Sequence, residues 1–217
     1  SLGSVLYNYR STKEVTLSTM INHSKSVRLG VKKSIMIVDM PYNTYRNPRE
    51  ALKNVKLVMK KTKCDGVKLE GGKKIIPIVK NLNKNKIPVM GHVGILPQTD
   101  KKFSFKGKKQ KEINRILNDT KLLENAGAFS IVLECVETKL SQKITKNIKI
   151  PTIGIGSSSN CDGQILVIDD LIGMSDSKFK FVKKYVDVSN IINSAVKRYK
   201  NEVKKKQFPK AKHSFTN

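Results

Sequence analysis

Six times along this chain, a short apolar run of strand length stops at an acid or a glycine, and a segment of helical periodicity follows most of these runs. Residues 34–38 stop at Asp39, and residues 67–69 stop at Glu70. Residues 87–93 carry His92 into Gly94, and residues 130–133 stop at Glu134. Residues 150–155 stop at Gly156, and residues 164–168 stop at Asp169 and Asp170. Alternation of this kind predicts an α/β fold, with a parallel sheet covered by helices. In such folds the mouth formed by the strand C-termini is where chemistry is kept. Six strands fall short of the eight of a (β/α)₈ barrel. The chain also opens at Ser1 without an initiator Met, inside a turn-like segment, so the expectation is that an N-terminal part is missing.

The helices carry their own signals. Asn47, Pro48 and Glu50 read as a cap, a first-turn proline and an acid three residues after the cap. Ala51, Val55, Val58 and Met59 then supply the buried face. Leu17, Met20, Ile21 and Val27 mark a helix over residues 16–29, closed by Gly30. Ile75, Ile76, Val79 and Leu82 mark another, in which Pro77 is tolerable only in the first turn. Residues 1–12 read as a loop, and residues 101–111 as a polar loop of the length that often forms a lid. A last helix runs from about 190 to 205. The whole of 1–217 reads as one incomplete barrel domain, with a C-terminal helix and tail over about 189–217.

Charge has to be weighed before any partner is assigned. Lys and Arg number 43 against 17 Asp and Glu, a formal charge of +26. Only six of the 43 are Arg (10, 28, 46, 49, 115 and 198), whereas nucleic-acid sites favour Arg for bidentate contacts. The lysines lie in every segment together with 17 Asn, which reads as a lysine-coated ordinary protein with no nucleic-acid or membrane partner. Three cysteines (64, 135, 161) show no paired spacing, and no signal peptide or membrane-length apolar run is present. The expected setting is a reducing cytoplasm.

The strand ends collect Asp39, Lys68, Glu70, His92, Glu134, Asp169 and Asp170 at one end of the expected sheet. Taken singly, each is more often a helix cap or a loop hydrogen bond than a functional group. Together, converging carboxylates repel unless a cation sits among them, and Mg²⁺ held by few carboxylates with substrate in the remaining positions would serve. Lys68 is placed to pair with a substrate carboxylate, and Glu134 is left to move protons. Gly154-x-Gly156 before Ser157 reads as close backbone packing in preference to a phosphate turn, and Cys135 and Cys161 as packing residues.

At motif length, these segments resemble a known family. Asp39-Met40-Pro41, Val67-Lys68-Leu69-Glu70-Gly71-Gly72, Gly91-His92-Val93-Gly94-Ile95-Leu96-Pro97-Gln98, Leu133-Glu134-Cys135-Val136, Ile153-Gly154-Ile155-Gly156, Cys161-Asp162-Gly163-Gln164-Ile165-Leu166-Val167 and His213-Ser214-Phe215 closely resemble the ketopantoate hydroxymethyltransferases, in order along the whole chain. The resemblance implies a (β/α)₈ TIM barrel of the phosphoenolpyruvate/pyruvate type, its first two strands missing from this chain, and a homo-oligomer, usually a decamer. It implies transfer of a one-carbon unit from 5,10-methylenetetrahydrofolate to 3-methyl-2-oxobutanoate in pantothenate synthesis, with Mg²⁺ chelated by the keto acid. Asp39 is then a metal ligand lying against the substrate, Glu70 a further ligand, Lys68 a contact to the keto acid and Glu134 the proton acceptor. Ser1 matches the Ser of the family's Gly-Asp-Ser-Leu-Gly motif, which contacts substrate, and His92 is a pocket residue.

The chain departs from that pattern in places. The Asp that precedes the Ser in the motif, a principal metal ligand, lies outside this sequence, and residues 8–14 differ from the family's Gly-His-x-x-Thr-Leu-Pro. Lys212 stands where an acid is usual before His213. Three other readings remain beside the enzyme: a truncated, inactive relic of it, a lysine-rich polyanion-binding protein, and another keto-acid lyase on the same barrel.

Overall fold

The computed structural model describes residues 2–100 and 104–215. They fall into two compact units, Ser1–Ile165 and Leu166–Asn217.

The first unit is built on six strands: β1 (Ile37–Asp39), β2 (Gly66–Glu70), β3 (Val89–Gly94), β4 (Ser130–Glu134), β5 (Thr152–Ile155) and β6 (Gly163–Gln164). Each pairs in parallel with the next, so that spatial order equals chain order. A doubly wound sheet reverses its order at a switch point. Strictly sequential order is the winding of a barrel wall, as the alternation of strand and helix signals leads one to expect.

Helices α1 (Leu2–Leu6), α2 (Leu17–Gly30), α3 (Pro48–Thr62), α4 (Ile76–Lys84), α5 (Gln110–Asn125) and α6 (Thr138–Asn147) belong to the same unit. The start of α3 is the one its sequence announces. The Asn47 side chain accepts from Glu50 N at 2.9 Å, Pro48 occupies the first turn, and Ala51, Val55 and Val58 are fully buried. Pro77 also sits in the first turn of its helix, where no backbone hydrogen bond is lost. Val67, Leu69, Val89, Ile131 and Leu133 have no exposed surface. The central strands read as continuous apolar runs because both of their faces are covered.

Four expectations are corrected. Residues 1–12 are not all loop, since α1 occupies part of them. The first strand begins at Ile37, not at 34, because Met36 N donates to the Asp65 side chain at 2.8 Å and not to a neighbouring strand. The last strand ends at Gln164, so Asp169 and Asp170 do not terminate a strand. They lie in α7 (Ile168–Leu171) of the second unit, where the Asp169 carbonyl accepts from Met174 N at 2.8 Å and the Asp170 carboxylate accepts from Ser175 Oγ. Local turn hydrogen bonds satisfy this backbone in place of a sheet ladder. Finally, of the polar stretch 101–111, residues 101–103 lie outside the described residues and the remainder is tied down. Lys106 N donates to Cys135 O, Glu137 N donates to Lys106 O, Gly107 N donates to Glu112 Oε2 at 2.6 Å, and α5 starts at Gln110.

The second unit holds α7 and the 17-residue α8 (Val188–Lys204), capped by the Asp187 side chain accepting from Asn190 N at 3.1 Å. Helix α8 buries none of its residues, and Ile191, Ile192, Val196, Tyr199 and Val203 are exposed. Among the described residues no helix is long and apolar enough to cross a membrane.

Candidate active site

The sheet brings together five of the six residues to which the family resemblance gives a role, from four consecutive strands. Asp39 ends β1, Lys68 and Glu70 lie two apart on β2 and therefore on one face, His92 lies in β3, and Glu134 ends β4. Parallel pairing sets their levels: Asp39 stands beside Lys68, Glu70 beside His92, and Gly94 beside Glu134. Ser1, the sixth, lies outside the described residues.

A continuous chain of polar contacts results. Lys68 Nζ lies 2.9 Å from Asp39 Oδ1 and 2.9 Å from His92 Nδ1, and His92 Nε2 lies 3.1 Å from Glu134 Oε2. An ammonium can only donate, so His92 Nδ1 is the acceptor and the ring proton sits on Nε2. That atom is buried and off the axis of an in-line hydrogen bond, so it meets Glu134 as an electrostatic contact. The imidazole is almost wholly enclosed, at 2% exposure, whereas Asp39 is open to 39%.

The charges decide the protonation of Lys68. Burial opposes its ammonium most strongly, but Asp39, Glu70 and Glu134 together outweigh it and hold the amine above its usual pKa. Burial pushes the Glu70 carboxyl above the usual carboxylate range, against the pull of His92 and Lys68, and Asp39 adds to the rise. Burial also raises the Cys135 thiol, next to Glu134, to about 11.

Two further residues were not singled out from the sequence. Gln98 N donates to Glu70 Oε2 at 3.0 Å, Gln98 Nε2 donates to Met40 O at 2.9 Å, and Tyr45 OH donates to Gln98 Oε1 at 2.8 Å. Burial, then Glu70 and Asp39, drive the Tyr45 phenol far above its usual pKa, so it stays a donor. Gln98 closes the motif that begins at Gly91, and that position is the only signal that pointed to it. Tyr45 sits in the loop after β1 with no local signal at all.

Asp39 Oδ1 is buried without an in-line hydrogen bond, and Glu70 offers a second hard oxygen donor to the same face. Such a pair fits Mg²⁺, which binds through one or two carboxylates and keeps its other positions for water and substrate oxygens. Among the described residues no group of three or more His, Cys, Asp or Glu converges in metal-holding geometry. Gly154 is closely packed: a Cβ on it would meet the Gln164 side chain at 2.9 Å and Cys161 Sγ at 3.2 Å.

The family model described as ketopantoate hydroxymethyltransferase matches residues 1–211. A protein of Pelagibacter ubique named 3-methyl-2-oxobutanoate hydroxymethyltransferase is 61% identical over 99% of this chain and 84% of its own length. One of the same name from Carboxydothermus hydrogenoformans is 47% identical over 100% of this chain and 80% of its own. Among solved structures, 2,3-dimethylmalate lyase, described as a member of the PEP mutase/isocitrate lyase superfamily, superposes with a TM-score of 0.53 over 99% of this chain and 75% of its own. At 11% identity that likeness speaks to the fold alone.

Proposed function

Because the chain belongs to the ketopantoate hydroxymethyltransferase family, we infer that it forms ketopantoate by transferring a hydroxymethyl unit to 3-methyl-2-oxobutanoate, and we assign the steps to the row of side chains on β1–β4. The observation that carries the assignment is the unbroken path from Asp39 through Lys68 and His92 to Glu134.

Lys68 has three N–H donors, spends one on His92 Nδ1 and meets Asp39 Oδ1 as an ion pair at 2.9 Å. A remaining N–H is directed to the carboxylate of the keto acid, which fixes its orientation. Glu134 takes the proton from C3 of the keto acid. Its Oε2 is held by His92, which leaves Oε1 to accept. Since the His92 ring proton sits on Nε2, on the side of Glu134, Glu134 is the group kept as acceptor. The carbanionic C3 then attacks the methylene carbon carried by 5,10-methylenetetrahydrofolate, forming the new C–C bond as one C–N bond of the folate breaks with its electron pair going to nitrogen; cleavage of the second C–N bond and addition of water to that carbon release tetrahydrofolate and leave the hydroxymethyl group. Asp39 and Glu70 would hold Mg²⁺, and Gln98 and Tyr45 keep Glu70 aimed. When bound there, the metal supplies Lewis-acid polarisation of the keto oxygen.

A second copy of the chain is the partner that α8 suits. Ile192, Val196, Tyr199 and Val203 recur at helical spacing on an exposed face. Three buried free cysteines agree with a reducing, cytoplasmic setting.

Turnover of 3-methyl-2-oxobutanoate with methylenetetrahydrofolate and Mg²⁺ tests the reading, alongside Glu134→Gln. The variant is expected to bind the keto acid normally and to lose about 10²–10⁴-fold in kcat, the usual worth of a general base. Unchanged kcat in Glu134→Gln would remove Glu134 from its role. No turnover by the parent chain would leave a relic of the enzyme.

A further inference from the structure

Asp39 and Glu70 stand on neighbouring strands but not at one level. Asp39 ends β1 beside Lys68, and Glu70 lies two residues further along β2, past the last paired residue of β1. The pairing of β1 with β2 therefore does not by itself fix the gap between the two carboxylates. Gln98, from the loop after β3, closes it. Its side-chain Nε2 donates to Met40 O at 2.9 Å, one residue beyond Asp39, and its backbone N donates to Glu70 Oε2 at 3.0 Å. A single buried residue thus ties the strand end that carries Asp39 to the carboxylate of Glu70.

Both halves of this tie are held from behind. A carbonyl can only accept, so the amide nitrogen of Gln98 faces Met40 and its Oε1 faces Tyr45, whose hydroxyl donates to it at 2.8 Å. Thr12 Oγ1 donates at 2.8 Å to Pro97 O, the carbonyl of the same peptide unit whose N–H meets Glu70. That peptide is pinned at both ends, and its N–H is polarised toward the carboxylate.

Hard divalent cations differ in what they ask of a carboxylate. Mg²⁺ takes octahedral geometry with oxygens at about 2.0–2.1 Å, whereas Ca²⁺ takes about six to eight oxygens at about 2.3–2.6 Å, often both oxygens of one carboxylate. With Oε2 engaged by Gln98 N, Glu70 has Oε1 left to give, and its spacing from Asp39 cannot widen without loss of the bond to Met40 O. We propose that Gln98 sets the ion selectivity of this site: it holds Glu70 to one free oxygen at a fixed spacing from Asp39, so that Mg²⁺ is accepted and the larger Ca²⁺ is rejected. The assignment rests on the metal-holding role proposed above for Asp39 and Glu70. Gln98 is a positioning residue in it, acting through Glu70 and Met40.

The test is binding of Mn²⁺, read from the electron paramagnetic resonance of the free ion, and its displacement by Mg²⁺ and by Ca²⁺, on the parent chain and on Gln98→Ala, with folding checked by circular dichroism. The parent is expected to release Mn²⁺ to Mg²⁺ at a lower concentration than to Ca²⁺. In Gln98→Ala the Mg²⁺ affinity should fall about tenfold, the low end of what a partner behind a metal ligand is worth, while the Ca²⁺ affinity holds or rises. Tyr45→Phe and Thr12→Val each remove one hydrogen bond from the same tie and keep the shape of the side chain. Each is expected to shift the ratio of the two affinities in the same direction by about threefold, and they carry the test should Gln98→Ala fail to fold. Equal weakening of both ions in the variants overturns the proposal, since a site merely loosened would lose both alike. A parent that binds no Mn²⁺ or prefers Ca²⁺ also overturns it, as does Mn²⁺ binding that survives Asp39→Asn, which would put the ion elsewhere. Turnover measured on the same samples separates the two claims. A preference that depends on Gln98 without turnover defeats the activity and leaves the selectivity, and turnover without such a preference defeats the role of Gln98 alone.

Discussion

Lys68 is the residue on which the polarity of the whole row depends. Its ammonium is donor-only, so its contact to His92 Nδ1 at 2.9 Å places the ring proton on the side of Glu134. The same network makes a cation indispensable there, since Asp39, Glu70 and Glu134 all press toward it. Cys135 shows what that concentration of negative charge and burial does to a neighbour that takes no part. Its thiol is buried and raised to about 11, first by burial and then by Glu134. Because the thiolate is the reactive form, alkylation of Cys135 by iodoacetamide, followed by peptide mass spectrometry, is expected to be slow at pH 8. It should rise about tenfold per pH unit until it levels near pH 11. A plateau near 8.5, the ordinary thiol value, would show that neither burial nor Glu134 acts on it.

At the scale of elements, the close approach of β3 and β4 is what sets Glu134 against His92. Gly94 ends β3 directly opposite Glu134, with φ of 98°, and a Cβ added to it would stand 2.1 Å from the Glu134 carbonyl oxygen. That oxygen also accepts from Ile95 N at 2.9 Å, so neither strand has room to retreat. Gly94→Ala is therefore expected to cost about 3 kcal/mol or more in chemical denaturation, since it combines positive-φ strain with a backbone clash. Gly30 offers the contrast. It closes α2 and has nothing within 4 Å of an added Cβ, so Gly30→Ala is expected to be neutral or to stabilise by up to about 1 kcal/mol. Similar losses in the two variants would mean that the strand contact does not hold the site together.

At the scale of the molecule, two features face outward: a formal charge of +26 and the apolar stripe of α8. Net charge of that size keeps copies apart, so association through α8 requires the burial of its apolar face to outweigh repulsion. Val196→Glu/Tyr199→Glu is expected to lower the mass seen in sedimentation equilibrium to that of a single chain, with the far-ultraviolet circular dichroism unchanged. Raising the salt should strengthen association of the parent chain by screening the lysines. A mass unaffected by the double substitution would place the contact elsewhere.

The sequence by itself determined the order of elements, the start of α3 and the residues at the ends of β1, β2 and β4, because strand-length apolar runs and caps are local signals written within a few residues. It also carried the family, through motifs that follow one another along the chain. It misread residues 165–168 as strand, ending at Asp169 and Asp170, since the local pattern does not reveal that these two have turn partners of their own. Only the tertiary structure decided which polar groups touch. The Lys68–His92–Glu134 path and the hold of Tyr45 and Gln98 on Glu70 join residues from separate strands and loops. Their meeting is set by sheet register and by the space that Gly94 leaves open, and neither of these is a property of any short stretch of chain.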